Sequence, residues 1–224
     1  MSNFISSIRY YVWSSYRRKN IDVLQEKHRD KYSGFVLDIG GRDRGKFKSP
    51  EEQVDKWIRT DINKDTNPDI VLDVANMTLI DDNSVNIINA IELFEHVKNI
   101  ENGLQECFRV LKQNGYFIIT VPFMYPVHAD PNDYQRWTKE KWKIELLKVG
   151  FEIETIEVMG GVFTIFADLL KNITKVVPGK IRYIFLPFYV LLSSMVFLDN
   201  VSFIKNKKSL SGYVSGYFIL CRKK

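Results

Sequence analysis

Three short apolar runs in the first third of the chain each carry an aspartate at their end. Phe35–Ile39 contains Asp38 and runs into Gly40-Gly41, Trp57–Ile62 contains Asp61, and Ile70–Val74 closes around Asp73. Runs of this length, bounded by turn residues, predict buried strands. Ligands of α/β sheets bind at the carboxyl ends of strands, where glycine lets the backbone approach closely. An acid ending the next strand, 23 residues after Asp38, can accept both hydroxyls of a ribose. Asp-x-Gly-Gly alone is equally a simple strand-end turn; the three acids in succession carry the argument.

The rest of the chain continues the alternation. Ser49-Pro50-Glu51-Glu52 predicts a short helix start. Val85–Ala90 predicts a fourth strand and Tyr116–Val121 a fifth. Ile100–Lys112, with Leu104, Cys107/Phe108 and Leu111 on one face, predicts a helix stopping before Asn114-Gly115. Thr138–Val149 repeats the pattern with Trp142, Leu146 and Val149, and Gly150 stops it. Phe151–Met159 and Gly212–Arg222 predict the last two strands. Strands alternating with helices predict an α/β sheet covered on both faces. Two parts stand outside it: a basic, aromatic helical segment over 1–31, and an insertion over about 160–210 within the domain of 32–224. The insertion holds an amphipathic stretch (Val162, Ile165/Phe166, Leu169/Leu170, Ile173, Val176), then Tyr183–Leu198, sixteen residues without a charge.

Composition excludes disorder, collagen and coiled coil, since 45% of 224 residues are hydrophobic and 26% charged. Two cysteines, Cys107 and Cys221, are too few for a disulfide framework and lack metal-ligand spacing, so a reducing compartment and no metal are expected. No secretory signal is expected in Met1–Asn20, which is basic and aromatic. The net charge of +5 is unevenly spread: +4 over 1–31, −8 over 32–170 and +9 over 171–224.

Several motifs together resemble the class I S-adenosylmethionine-dependent methyltransferases, particularly the small-molecule and glycan-type branch, over roughly Gly34–Gly160. Asp38-Ile39-Gly40-Gly41 resembles the first cofactor motif, Asp61-Ile62 the ribose-binding acid, and Asp73-Val74-Ala75 the segment at the adenine edge. Ala90-Ile91-Glu92-Leu93-Phe94-Glu95-His96-Val97 is similar to the strand-four exit, and Leu111–Tyr116 to the turn into strand five. The resemblance implies a Rossmann-like, seven-stranded, mostly parallel sheet whose last strand is antiparallel. It also implies S-adenosyl-L-methionine as cofactor, held by Asp38, Gly40, Gly41, Asp61, Ile62, Asp73, Val74, Ala90 and Glu92. One departure is Arg42, where the first motif usually has glycine; the 45–56 stretch is also short for a first helix. A nicotinamide dehydrogenase is the rival, but it needs G-x-G-x-x-G, and from Gly40 this chain reads G-G-R-D-R-G.

Methyl transfer needs positioning and a proton balance more than covalent help. A hydroxyl acceptor wants a general base, and the candidates are His128 and His96. His128 lies in the long loop after strand five, with Tyr125, Asp133, Tyr134 and Arg136 as candidate substrate contacts; Asp133 and Arg136 could equally pair with each other. The expected activity is O-methylation of a small-molecule or glycan-linked acceptor. Its alternatives are N-methylation of an amino sugar or small amine, and an inactive scaffold at the membrane. The uncharged Tyr183–Leu198 is shorter than the roughly twenty residues that span a bilayer. With its flanks Lys180, Arg182, Lys205, Lys207 and Lys208, and with Phe4, Ile5, Ile8, Tyr11 and Val12 before Arg17-Arg18-Lys19, it suits contact with an anionic leaflet; a lid or homodimer contact is the plainer reading. Nucleic acid is not expected, because no RNA-binding motif appears. The expected location is cytoplasmic, at the inner face of the membrane.

Overall fold

The computed structural model describes residues 10–42, 45–128 and 131–224. Phe4, Ile5 and Ile8, Asp43-Arg44 of the glycine loop, and Ala129-Asp130 lie outside the described residues, as do the side chains of Lys180, Arg182 and Lys205. The chain folds in the order α1 (Tyr16–Lys27), β1 (Gly34–Ile39), β2 (Val54–Asp61), β3 (Ile70–Val71), β4 (Val85–Ile91), α2 (Ile100–Val110), β5 (Leu111–Pro122), α3 (Lys139–Val149), β6 (Phe151–Val158), α4 (Val162–Lys175), α5 (Leu186–Phe197), α6 (Ser202–Lys205) and β7 (Gly216–Lys223).

The seven strands form one sheet in the order β3-β2-β1-β4-β5-β7-β6. All neighbours are parallel except β7, which runs antiparallel to both β5 and β6. Strand order reverses between β1 and β4, the switch point at which such sheets bind ligands. Side chains alternate between two buried layers. Leu37, Ile88, Phe117 and Ile119 face the α2–α3 side with Leu104, Trp142 and Leu146. Val36, Ile87, Ile118 and Phe218 face the other side with Ile21 of α1.

Helix ends follow their capping residues. Asn99 caps α2 by accepting from Asn102 N, and Thr138 caps α3 by accepting from Lys141 N. Gly150 ends α3 in the left-handed region at φ 113°. The helix anticipated at Ser49 does not form. Gln53 N closes a turn onto Pro50 O at 3.1 Å, and Gly34 N donates to Gln53 O at 2.9 Å. The chain must enter β2 at Val54 to pair with β1, so no room is left for a helix. The third strand is also shorter than its apolar run, because Asp73 turns back and accepts from Ala75 N at 2.9 Å.

The insertion buries the opposite face from the one its amphipathic pattern suggests. On α4 the buried residues are Thr164, Ala167, Asp168, Lys171 and Thr174. Phe166, Leu169, Ile173 and Val176 are exposed, at 46%, 51%, 57% and 82%. The polar face is drawn inward by the N-terminal helix. Asp168 accepts from Tyr16 N at 2.6 Å and Arg17 N at 3.1 Å, the free donors at the start of α1. Lys171 Nζ donates to Ser14 O at 2.5 Å, and Thr174 shares a hydrogen bond with Tyr189 OH. Tyr16, Ala167, Tyr189 and Leu192 fill the remaining space as a third apolar cluster.

Burial, reinforced by Lys19, lowers the Lys171 pKa from 10.5 to about 7. Between those values the unfolded chain holds a proton that the folded chain has released, so stability rises with pH across that window. Denaturant titrations of wild type and Lys171→Met from pH 6.5 to 10 should show wild type gaining stability relative to the variant as pH rises. A pH-independent difference would contradict this account of Lys171.

Candidate active site

The carboxyl ends of β1 to β4 converge on one cleft. Gly40 follows β1 with φ 69°, and a Cβ there would lie 2.9 Å from Leu93 Cδ1, so both backbone and space demand glycine. Asp61 ends β2 and is 5% exposed. Its Oδ1 accepts from Asn63 N at 2.9 Å and its Oδ2 from Arg42 Nε at 3.0 Å. A carboxylate has about four acceptor positions, so Asp61 can still receive two ribose hydroxyls beside these contacts. Ile62, Asp73, Val74 and Glu92 line the same cleft.

Glu92 leaves β4 with φ 57°, a costly conformation for a residue with a side chain. Four contacts hold it there. Its N–H donates to Thr120 O at 2.9 Å and lies 3.1 Å from Thr120 Oγ1. Its Oε1 accepts from Thr120 Oγ1 at 3.2 Å, and its Oε2 pairs with the Arg17 guanidinium. Arg17 is itself 5% exposed and stacks under the Tyr125 ring, 4.0 Å from its centroid. The N-terminal helix therefore reaches into the wall of the cleft. Arg17 reads as one of three consecutive basic residues, and nothing in that run singles it out.

Other expected cofactor residues lie elsewhere. Asp38 accepts from Asn89 Nδ2 at 2.6 Å and Trp57 Nε1 at 3.1 Å, and with Gly41 it lines an adjoining cavity. A Cβ on Gly41 would come within 2.3 Å of Asp38 Oδ2, so glycine there preserves the Asp38 network. Ala90 is fully buried in the core layer. Arg42, at the position where glycine was expected, lines both cavities and ties the first loop to Asp61.

The loop after β5 is fastened to the 3-10 turn Phe94–His96 by one backbone and two side-chain contacts, each ending on a carbonyl. Tyr134 N donates to Glu95 O at 2.8 Å, Gln135 Nε2 to Val97 O at 2.8 Å, and His96 Nδ1 meets Asn132 O at 2.6 Å. His96 and Tyr134 thereby line the cleft. His128 stands edge-on to His96 with ring centroids 5.1 Å apart, and 5.7 Å from the Tyr125 centroid. Asp133 and Arg136 form a two-contact ion pair with each other, and Asp133 Oδ2 also accepts from His128 N at 3.0 Å. Burial opposes ionisation of Asp133, but Arg136 and the His128 N–H outweigh it and its pKa is lowered. Burial likewise lowers the His128 pKa against the pull of the Pro126 carbonyl. Glu95 was not anticipated as a site residue; its carboxylate is 2% exposed and burial raises its pKa.

Comparison with known proteins agrees with this geometry. Residues 49–119 match the family described as "Methyltransferase domain". No curated protein matches the chain. A SAM-dependent methyltransferase from Archaeoglobus fulgidus superposes with TM-score 0.60 at 17% identity, over 98% of this chain and 100% of that one. Phosphoethanolamine N-methyltransferase 2 from Haemonchus contortus, crystallised with S-adenosylhomocysteine, gives 0.55 at 18% identity, over 92% of this chain and 52% of that one. The [4+2]-cyclase SpnF gives 0.55 at 15% identity, over 90% and 80%. The fold is that of the S-adenosylmethionine-dependent methyltransferases, and the match to the methyltransferase domain covers about a third of the chain. The Archaeoglobus relative is SAM-dependent, and the Haemonchus one holds S-adenosylhomocysteine.

S-adenosylhomocysteine should therefore raise the melting temperature, as any ligand selective for the folded state does. Asp61→Ala should cost about 1.5–3 kcal/mol of that binding, the worth of hydrogen bonds to a charged acceptor. Asp65→Ala, on the exposed turn beyond it, serves as the control. An unchanged shift in the Asp61 variant would remove Asp61 from cofactor binding.

Proposed function

We propose that the chain methylates an oxygen of a small-molecule or glycan-linked acceptor at the inner face of a membrane. S-adenosylmethionine supplies a methyl group already activated on a sulfonium. Asp61 would receive the ribose hydroxyls, with Ile62, Asp73 and Val74 around the adenine and Gly40 and Glu92 at the floor. Asp38, Gly41 and Ala90 would support that surface from behind.

The observation that carries the reading is His128 beside the cleft. Its Nδ1 rests 3.2 Å from Pro126 O and its backbone N–H is held by Asp133, which Arg136 fixes in turn. Nε2 is then the nitrogen free to take the proton of an acceptor hydroxyl. Tyr125 and Tyr134 would wall the acceptor, with Asp133 and Arg136 acting through His128. His128→Ala should lower turnover by about 10²–10⁴-fold with cofactor affinity nearly constant. A panel of hydroxylated sugars, amino sugars and small amines tests the acceptor. Turnover on amines alone would move the reading to N-methylation, and cofactor binding without any turnover would favour a scaffold.

The membrane part is supported by the exposed face of α4 and α5. Phe166, Leu169, Ile173, Val190, Leu191 and Phe197 are all open to solvent. Six exposed large apolar residues on two helices that pack together suit an interaction surface. Residues 162–210 contain seven Lys/Arg and two acids, Asp168 and Asp199. Both acids are engaged inward: Asp168 holds the start of α1, and Asp199 accepts from Gly161 N, Phe163 N and Thr164 N at the start of α4. Cations such as Lys175, Lys207 and Lys208 thus surround apolar surface without a free carboxylate. A second copy would set cation against cation, whereas anionic lipid complements both features, at about 1 kcal/mol per engaged Lys or Arg. No helix among the described residues is long and apolar enough to cross a membrane, so contact would be interfacial. The full chain should sediment with anionic vesicles more than with neutral ones, and Phe166→Ser with Leu169→Ser should remove the salt-resistant fraction. Equal recovery in both supernatants, or concentration-dependent dimers lost in the same variant, would overturn membrane contact.

A further inference from the structure

Beside the cleft, Glu95, His96 and His128 each bring one ligand atom to within 4.8 Å of the others. Neither carboxylate oxygen of buried Glu95 has a hydrogen-bond partner, and neither does buried His96 Nε2, 3.7 Å from Glu95 Oε1. A buried carboxylate without partners carries a heavy desolvation cost, and such groups are rare in native proteins. The nearby guanidiniums do not satisfy it. Arg17 pairs with Glu92 and Arg136 with Asp133, and the buried Nε of neither hydrogen-bonds Glu95.

The two histidines are oriented alike. His96 Nδ1 meets the carbonyl of Asn132 at 2.6 Å, and His128 Nδ1 meets that of Pro126 at 3.2 Å. A backbone carbonyl can only accept, so each Nδ1 carries the proton and each Nε2 keeps its lone pair. Carbonyl partners on the outer ring nitrogen are the usual support of metal-ligating histidines. Two neutral imidazoles and one carboxylate form a three-ligand set that leaves positions open, as in catalytic zinc and 2-His-1-carboxylate sites.

We propose that Glu95, His96 and His128 bind a divalent transition-metal ion of the Zn²⁺ class, and that the acceptor oxygen completes its coordination. This rests on the reading of the cleft as a methyl-transfer site and deepens it, because the ion would lower the pKa of a bound hydroxyl. The hydroxyl proton passes to solvent. The oxygen forms its bond to the methyl carbon as the carbon–sulfur bond breaks, and the electron pair of that bond stays on sulfur. His128 then holds the ion in place of the proton.

The test uses the full chain, stripped with chelator and titrated with Co²⁺ as the probe. Expected is one equivalent giving a d–d absorption band, displaced by Zn²⁺. Glu95→Gln and His128→Gln should each weaken Co²⁺ binding by more than about 100-fold, beyond the 10–100-fold typical of outer partners. His128 lies on a half-exposed loop, and an S-adenosylhomocysteine melting shift certifies that each variant is folded. No band in folded wild type, or a band that persists in both variants, overturns the metal site. A missing band together with a turnover defect in His128→Ala rejects the ion and leaves the base reading standing. A band lost in both variants, with normal turnover in His128→Ala, overturns coordination of the acceptor oxygen by the ion and rejects the base as well.

Discussion

The connection between β1 and β2 is too short to lay a helix across the sheet, and much of the molecule follows from that. Residues 45–53 reach β2 through a turn and bring Phe47, but no helix, to the face around Val36, Ile87 and Ile118. The N-terminal helix α1 covers it with Ile21 and Leu24. In that place α1 delivers Arg17 to Glu92, at the exit of the strand beside β1. A helix recruited from outside needs its own free N–H groups satisfied, and Asp168 on the insertion provides for two of them. Asp168 must then face inward, and so must Lys171 and Thr174 one and two turns later. The apolar side of α4 is left pointing away from the protein.

The elements that local rules govern were legible in the sequence. Strand ends at Asp38, Asp61 and Glu92, the Thr138 cap and the Gly150 stop depend on residues within a few positions of each other. Expectations failed where a distant segment decided the outcome. Ser49-Pro50-Glu51-Glu52 has every local mark of a helix start, but the register of β2 against β1 takes the chain first. The amphipathic period of α4 is real, yet periodicity gives the apolar face without saying which face a neighbour needs. Arg17 and Glu95 escaped notice for the same reason. Arg17 sits in a basic run that resembles a surface, and Glu95 in a motif whose burial comes from Tyr134 and the loop packed over it. Asp38 stands at the strand end where the motif puts it, and Trp57 and Asn89 from distant strands orient its carboxylate there.

The same fold carries a [4+2]-cyclase, so the sheet and its strand-end acids do not select a reaction. Selection falls to what closes the cleft, and here three contacts to backbone carbonyls hold the loop after β5 onto the Phe94–His96 turn. Each contact ends on a backbone carbonyl, but two of the three come from the side chains of His96 and Gln135, so those two residues help set the loop from which His128, Tyr125 and Tyr134 project. Tyr125 lies over Arg17, which joins that support to α1. From Arg17 the path to the solvent-exposed apolar face is short: the first turn of α1, the Asp168 carboxylate that caps it, and the width of α4. Phe166 and Leu169 thus lie on a helix whose opposite side caps the helix that carries Arg17. Surface and cleft are separated by one helix, one cap and one buried ion pair.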